Sequence, residues 1–337
     1  MENGSMKKAI VITSIFHPTE AVIAFSKMND HQLIVVGDKM TPANWKCENV
    51  KYLSVSMQEK LDFEIARILP FNHYCRKMLG YLEAIQNGAE LIIDTDDDNI
   101  PKDDWRFPEF ENEFACIAEK KGFINIYQWF TSQKIWPRGL PLQLINTQFD
   151  LESLMETRDC KVGIWQGLAD EDPDVDAIYR LTSDERCYFN ESAPVVLGKG
   201  TVCPFNTQNT MVRKELFPLL YLPTYVTFRF TDILRGLVAQ PIMWLYGYQL
   251  GFTKATVIQK RNPHDYMKDF ISEIPMYEQG EKVISLISNA IHASETIEEN
   301  LRNAYKSLLK ENIVCEKEME TLEAWLADIK KSANRNQ

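Results

Sequence analysis

"NHYCRKMLGYLEAIQNGAELIIDTDDD", residues 72–98, decides the fold. Its first part sets Cys75, Leu79, Leu82 and Ile85 at the spacing of one helical face, and "NGAE" (87–90) carries the turn residues that stop a helix. "LIID" (91–94) follows at once, an apolar run of the kind a buried strand needs. Four aspartates, Asp94, Asp96, Asp97 and Asp98, then fall within five positions. Carboxylates at that density repel and raise one another's pKa values, so the segment is either a solvated acidic turn or a seat for a cation. Helix, strand and ligand-rich loop in this order describe half of a doubly wound α/β fold, with its site at the carboxyl ends of the strands.

The surrounding chain extends that pattern. "KAIVITSIF" (8–16) and "HQLIVVGDK" (31–39) read as buried parallel strands separated by enough chain for a crossover helix, and "VKYLSVS" (50–56) reads as a third strand. From 125 to 210 the pattern loosens into aromatic-rich, proline-punctuated pieces, as expected of a substrate-facing half, and a helical pattern returns at 229–250. From about 278 to 333 the chain is amphipathic helix, with Val283, Ile287, Leu301, Tyr305 and Leu308 among its apolar positions. Those helices are expected either to pack on the main domain or to form a homo-oligomer contact. The expected architecture is an α/β mixed sheet flanked by helices. It has a first half at about 7–120, a second, substrate-facing half at about 121–275 and a C-terminal helical extension at 276–337.

Composition narrows the function classes. The 337 residues carry a formal charge of -11, which argues against a duplex nucleic-acid binder. Seven cysteines are scattered without a C-x-x-C pair, a pattern of reduced thiols and not of a disulfide framework or zinc site. No run reaches the 18 or so apolar residues of a spanning helix, and the start lacks a secretory signal, so a cytoplasmic location is expected.

In an extended segment residues two apart face the same side, so Asp94 with Asp96, or Asp96 with Asp98, can present two carboxylates to one hard cation. With no His or Cys nearby, Mg²⁺ or Mn²⁺ is favoured over zinc. Arg76 and Lys77 stand in the first turn of the preceding helix, where the dipole is already positive. There they are either surface charges or a seat for a diphosphate. In "ADEDPDVDAIYRLT" (169–182), alternation from 172 to 176 sets Asp172, Asp174 and Asp176 on one face. "FRFTDILRG" (228–236) places Asp232 between Arg229 and Arg235, readable as a surface i,i+3 ion pair or as a site carboxylate. "FNTQNT" (205–210) offers amides for sugar hydroxyls or for helix capping, and "RNPHDYMKDF" (261–270) contributes His264 as a third metal or diphosphate contact.

The acidic loop is similar to the "DXD" signature of GT-A fold nucleotide-sugar glycosyltransferases. Together with "WPRGLPLQLI" (136–145), "DPDVDAIYRLT" (172–182), "FNTQNTMV" (205–212) and "LPTYVTFRFTDILRGLVAQ" (222–240), it resembles the catalytic domain of the plant STELLO glycosyltransferases. More distantly, "RGLP", "PDVDA", "GKGTVCPFN" and "RFTD" find counterparts, in the same order, in the reversibly glycosylated polypeptides, which are UDP-arabinopyranose mutases. The resemblance covers most of 8–275 and leaves the helical tail aside.

It implies that Asp94 and Asp96, or Asp98, bind Mn²⁺ or Mg²⁺, and that Arg76 and Lys77 reach the diphosphate or ribose. Asp38 would read the nucleoside, with Thr13 and Asn72 in the same nucleotide-binding set. Asp174, Asp176 and Asp232 would line the sugar and acceptor pocket, with Asp232 or Asp174 as general base if the reaction inverts the anomeric centre. Arg138 stands where the mutase-like family has an arginine that becomes glycosylated, although its flanks here differ. The expected function is metal-dependent transfer of a sugar from a nucleotide-sugar donor, with UDP favoured by the resemblance, to a glycan or other acceptor. A UDP-sugar mutase and a non-catalytic assembly protein are the alternatives. The plant proteins carry a membrane anchor for which this sequence shows no counterpart.

Overall fold

The computed structural model describes residues 6–118, 121–183, 185–262 and 265–334. Strands β1 (Lys8–Thr13), β2 (His31–Val36), β3 (Val50–Leu53) and β4 (Leu91–Thr95) run parallel in the order β3-β2-β1-β4. Their residues alternate between two cores. Ile10, Ile12, Leu33, Val35 and Ile93 face one side, whereas Val11, Ile34, Val36 and Ile92 face the other. A strand covered on both faces is apolar throughout, which is why these stretches read as continuous greasy runs. Each fully buried Val, Ile or Leu contributes roughly 1.5–3 kcal/mol.

Beyond β4 the sheet becomes mixed. β5 (Asn99–Pro101), β6 (Glu111–Ile117), β7 (Gly122–Phe123), β8 (Met155–Glu171), β9 (Val195–Leu197), β10 (Thr201–Val202), β11 (Asn209–Arg213) and β12 (Gln249–Gln259) follow in the chain. β11 lies antiparallel beside β4 and continues the main sheet into β8, while β7 and β10 form a separate pair. The 17-residue β8 serves three neighbours, since its first half pairs with β6 and its second half runs parallel to β12 and antiparallel to β11. β5 pairs with the end of β12, Asn99 opposite Gln259, which pins the acidic loop against the far half of the sheet.

The helix expected at 72–90 is Lys77–Gln86, entered through a tight turn at Tyr74–Arg76. It does not have a single buried face, because every residue from Lys77 to Ile85 is buried. One side lies on the sheet, where a Cβ at Gly80 would come within 2.5 Å of Val11, so glycine is what permits the close approach. The C-terminal helix Glu316–Asn334 covers the outside. The helical pattern at 229–250 resolves into the helix Thr231–Leu245 followed by β12.

The tail forms the helices Tyr266–Ala290, Ile297–Lys310 and Glu316–Asn334, the first of which runs across residue 275. Their apolar residues Val283, Ile287, Leu301, Tyr305, Leu308 and Trp325 belong to the same core as the sheet. Buried polar groups lock the tail in place. The Glu318 carboxylate accepts from the backbone N–H groups of Thr224 and Tyr225, and Asp328 accepts from those of Glu64 and Ile65. The apolar face that suggested an oligomer contact is therefore covered by the chain itself. Among the described residues no helix is long and apolar enough to cross a membrane.

Candidate active site

The carboxyl ends of β1, β2 and β4 open onto two adjoining cavities of about 340 and 240 Å³. Thr13, Ile15, Tyr74, Asp97 and Phe228 line both. The wall between them is partly aromatic, with the rings of Tyr74 and Phe228 edge-to-face at 4.7 Å.

Asp94 lies within β4, opposite Val11 of β1, and is fully buried. Lys77 Nζ approaches its Oδ1 at 2.8 Å and Arg235 Nη1 donates to its Oδ2 at 2.9 Å. Lys77 Nζ also donates to the Thr95 carbonyl at 2.8 Å and to Asp96 Oδ1 at 2.9 Å. Burial opposes the charge on Lys77, but Asp94 and Asp96 outweigh it, so the amine titrates above the ordinary lysine value. Lys77 and Arg235 together form a buried cationic floor beneath the acidic loop.

Above that floor, Asp96, Asp97 and Asp98 line the larger cavity. Ser14 Oγ donates to Asp97 Oδ2, and Thr19 Oγ1 to its carbonyl, each at 2.5 Å, fixing the loop to the chain after β1. Among the described residues, the Asp98 carboxylate accepts only from the Gln259 amide, at 3.2 Å. Burial raises all three carboxyls. Asp96 reaches about 6 despite Lys77, and Asp98 about 7 because Asp96 and Asp97 add their repulsion. The loop is short of positive charge, and a cation would relieve it. Among the described residues no group of three or more His, Cys, Asp or Glu side chains is arranged to hold a metal alone. Two carboxylates completed by ligand phosphates and water are the usual coordination of Mg²⁺, so Asp96 and Asp98 suit that kind of ion.

On the opposite wall, Arg138 bridges two carboxylates. Its Nε and Nη2 donate to Asp174 at 2.8 and 2.7 Å, and its Nη1 and Nη2 donate to Asp232 at 3.0 and 2.8 Å. Asn206 Nδ2 adds a bond to Asp174 Oδ2 at 2.9 Å. Burial would raise Asp174, yet Arg138 and then Arg229 outweigh it and hold the carboxyl below its ordinary range. A carboxylate held this way is a poor proton acceptor and a firm hydrogen-bond acceptor. All three groups lie in the cavity wall, and Arg229, 3.8 Å from Asp174, supplies the second positive charge beside the two carboxylates.

The smaller cavity is lined by Asp38, Asn72, His73 and Arg76 beside the shared residues. Asp38 accepts from the backbone N–H groups of Lys39 and His73. Asn72 takes a left-handed φ of 58°, a conformation asparagine tolerates.

Several expectations are revised by this geometry. Asp94 belongs to the strand and faces Lys77 and Arg235, so the carboxylates presented to the cavity are Asp96, Asp97 and Asp98. Lys77 lines neither cavity and neutralises the loop from below. The Arg76 guanidinium stacks 3.9 Å from the Phe71 ring and donates to Gln58 Oε1 and the Leu69 carbonyl, forming wall structure. Asp172, Asp174 and Asp176 diverge, because the chain turns into a helix at 177. Asp172 pairs with Arg180, while Asp176 caps that helix and accepts from Trp136 Nε1 at 2.7 Å. Asp232 pairs with Arg138 and Arg235 with Asp94, so no i,i+3 pair forms between them. Every donor nitrogen of Arg138 is engaged, which fits a structural bridge better than a glycosylated side chain. His264 lies outside the described residues.

Sequence reasoning passed over Tyr74, Phe228 and Arg261. The first two stand within quoted stretches but carry no local signal. Arg261 stands in the same "RNPHDY" turn that pointed to His264.

Comparison with known proteins adds a second line of evidence. Residues 229–335 match the family model described as STELLO glycosyltransferases. That span holds Arg229, Asp232 and Arg235, and also the C-terminal helices that the sequence resemblance had set aside. The chain is similar to two curated proteins of Arabidopsis thaliana. It is 27% identical to "Probable glycosyltransferase STELLO1" over 97% of this chain and 45% of that protein. It is 31% identical to "Probable glycosyltransferase STELLO2" over 74% of this chain and 35% of that protein. The chain thus spans less than half the length of the curated relatives it matches.

Proposed function

The chain is a STELLO-like protein, related along most of its length to glycosyltransferases of that family, and we propose that it transfers a sugar from a nucleotide-sugar donor, with uridine diphosphate as the carrier. The observation that carries this reading is the acidic loop: three carboxylates short of positive charge, set where two cavities meet at the strand ends. The nucleoside would occupy the smaller cavity, against Asp38 and the Tyr74–Phe228 edge. The diphosphate would cross the shared wall, and the sugar and acceptor would fill the larger cavity.

Asp96 and Asp98 would hold Mg²⁺ or Mn²⁺, which when bound supplies electrostatic stabilisation of the departing diphosphate. Lys77 and Arg235 keep the loop anchored, so that its carboxylates stand preorganised before ligand arrives. Asp174, held anionic by Arg138, and Asp232, paired with the same arginine, would accept hydrogen bonds from sugar or acceptor hydroxyls and orient them.

The test is isothermal titration of the chain with UDP, with and without Mn²⁺, followed by assay of UDP-sugar turnover. Metal-dependent UDP binding that is lost in Asp96→Asn is the expected result. Equal binding with and without metal, or no binding of any nucleoside diphosphate, would overturn the proposal. Ring-isomerised UDP-sugar formed without acceptor would replace transfer by mutase chemistry.

A further inference from the structure

Part of the wall of the larger cavity is basic in a way that the donor reading does not use. Arg229 and Arg261 line it, and Arg180 lies close enough to repel Arg261. Arg180 and Arg229 have partners within the fold. Arg180 pairs with Asp172 at 2.7 Å and donates to the Pro173 carbonyl, and Arg229 donates to Glu273 at 2.9 Å. Arg261 is held more weakly. Its side chain is only 8% exposed, and its Nε, like that of Arg180, is buried without a hydrogen-bond partner among the described residues; unlike Arg180, it has only a long ion pair, 3.8 Å to Asp269, beyond hydrogen-bonding distance. Of the other carboxylates in reach, Asp174 is already engaged by Arg138 and Asn206, and Asp98 feels the Arg261 charge without a hydrogen bond or ion pair to it among the described residues. A buried guanidinium with an unmatched donor, repelled by two neighbouring arginines, is costly unless something anionic completes it.

Lining distinguishes this group from the shared wall. A diphosphate joining nucleoside to sugar would cross the wall shared by the two cavities, at Thr13, Tyr74 and Asp97, whereas Arg229 and Arg261 line only the larger cavity, with Arg261 within electrostatic reach of Asp98. We propose that Arg261, backed by Arg229, is a subsite for a carboxylate or phosphate carried on the sugar or on the acceptor that fills the larger cavity. This makes the substrate class an acidic sugar, and the inference rests on the donor reading above. Guanidinium pairs with carboxylate and phosphate through charge-assisted, directional bonds, so a neutral sugar in the same place would leave the arginine unmatched.

Titration calorimetry on the full chain tests it in two arms, after UDP and Mn²⁺ binding has been measured. In the first, UDP-glucuronate is compared with UDP-glucose. In the second, glucuronate and glucose 6-phosphate are titrated against glucose on the UDP–Mn²⁺ complex. At least one charged sugar is expected to bind about tenfold tighter than its neutral counterpart. Arg261→Gln should abolish that preference while leaving UDP affinity within about twofold, and Arg261→Lys should retain part of it. Preference in the first arm places the anion on the transferred sugar, and preference in the second places it on the acceptor. Equal binding of charged and neutral sugars in both arms overturns the proposal. So does a tenfold loss of UDP affinity in Arg261→Gln, which would make the arginine a diphosphate contact. If the wild-type chain binds no UDP, the donor reading falls. The free sugars titrated on the unliganded protein then decide the arginine's role by the same criterion.

Discussion

Asp98 and Asp174 face the same cavity from opposite walls, and burial has opposite outcomes for them. Asp174 is gripped by Arg138 and by Asn206, and stays anionic below its ordinary range. Asp98 has one long bond from an amide and two carboxylates beside it, and is pushed up to about 7. The difference lies in the partners, not in depth. A carboxylate matched inside the fold holds the wall together, whereas one left unmatched is poised to take a cation from outside.

The largest expected effect comes from breaking the matched side. Arg138→Met would leave Asp174 and Asp232 buried together without their counter-ion and should cost about 3–5 kcal/mol in a urea unfolding experiment. A loss below about 1 kcal/mol would mean that the bridge is not what holds that wall. On the unmatched side, Asp96→Asn should leave folding intact. It should weaken metal-dependent UDP binding at least tenfold, about 1.4 kcal/mol by calorimetry. Unchanged affinity would move the metal elsewhere.

The contrast also predicts a pH dependence. Asp96 and Asp98 have folded-state values near 6 and 7, above the unfolded value near 3.8. Between those limits the folded chain binds more protons than the unfolded one, so these groups stabilise it at low pH and that contribution is lost as pH rises through 6 to 7. The metal-free chain should therefore melt at lower temperature at pH 7.5 than at pH 5. Asp98→Asn should flatten that slope and raise the midpoint at pH 7.5 by roughly 2 °C. An unchanged slope in Asp98→Asn would show that the acidic loop is not under-neutralised. The smallest effect is expected far from both walls, at the exposed pair of Lys331 with Asp62, 2.8 Å apart. Lys331→Ala should cost no more than about 1 kcal/mol in the same unfolding experiment.

Much of the first half was legible because its signals are local. The runs at 8–13 and 31–36 are apolar because both sheet faces are covered, and a run of that kind needs no knowledge of what covers it. The acidic loop was legible for the same reason, since four aspartates in five residues stand out in any context. Asp172, Asp174 and Asp176 misled because alternation implies one face only while the chain stays extended, and Asp176 instead caps a helix. Asp232 and Arg235 misled because helical neighbours tend to pair unless stronger partners lie across the core, as Arg138 and Asp94 do here.

By itself, the order of apolar runs, turns and charges determined an α/β half ending in a carboxylate-rich loop, because periodicity and charge density act over a few residues. Which carboxylates that loop offers was decided only by tertiary structure. β4 continues through Asp94 to Thr95, turning Asp94 towards an arginine 141 positions away and leaving Asp96 to Asp98 at the cavity. Electrostatic partners in a folded core are set by distance in space, and that distance is the product of the whole chain's packing.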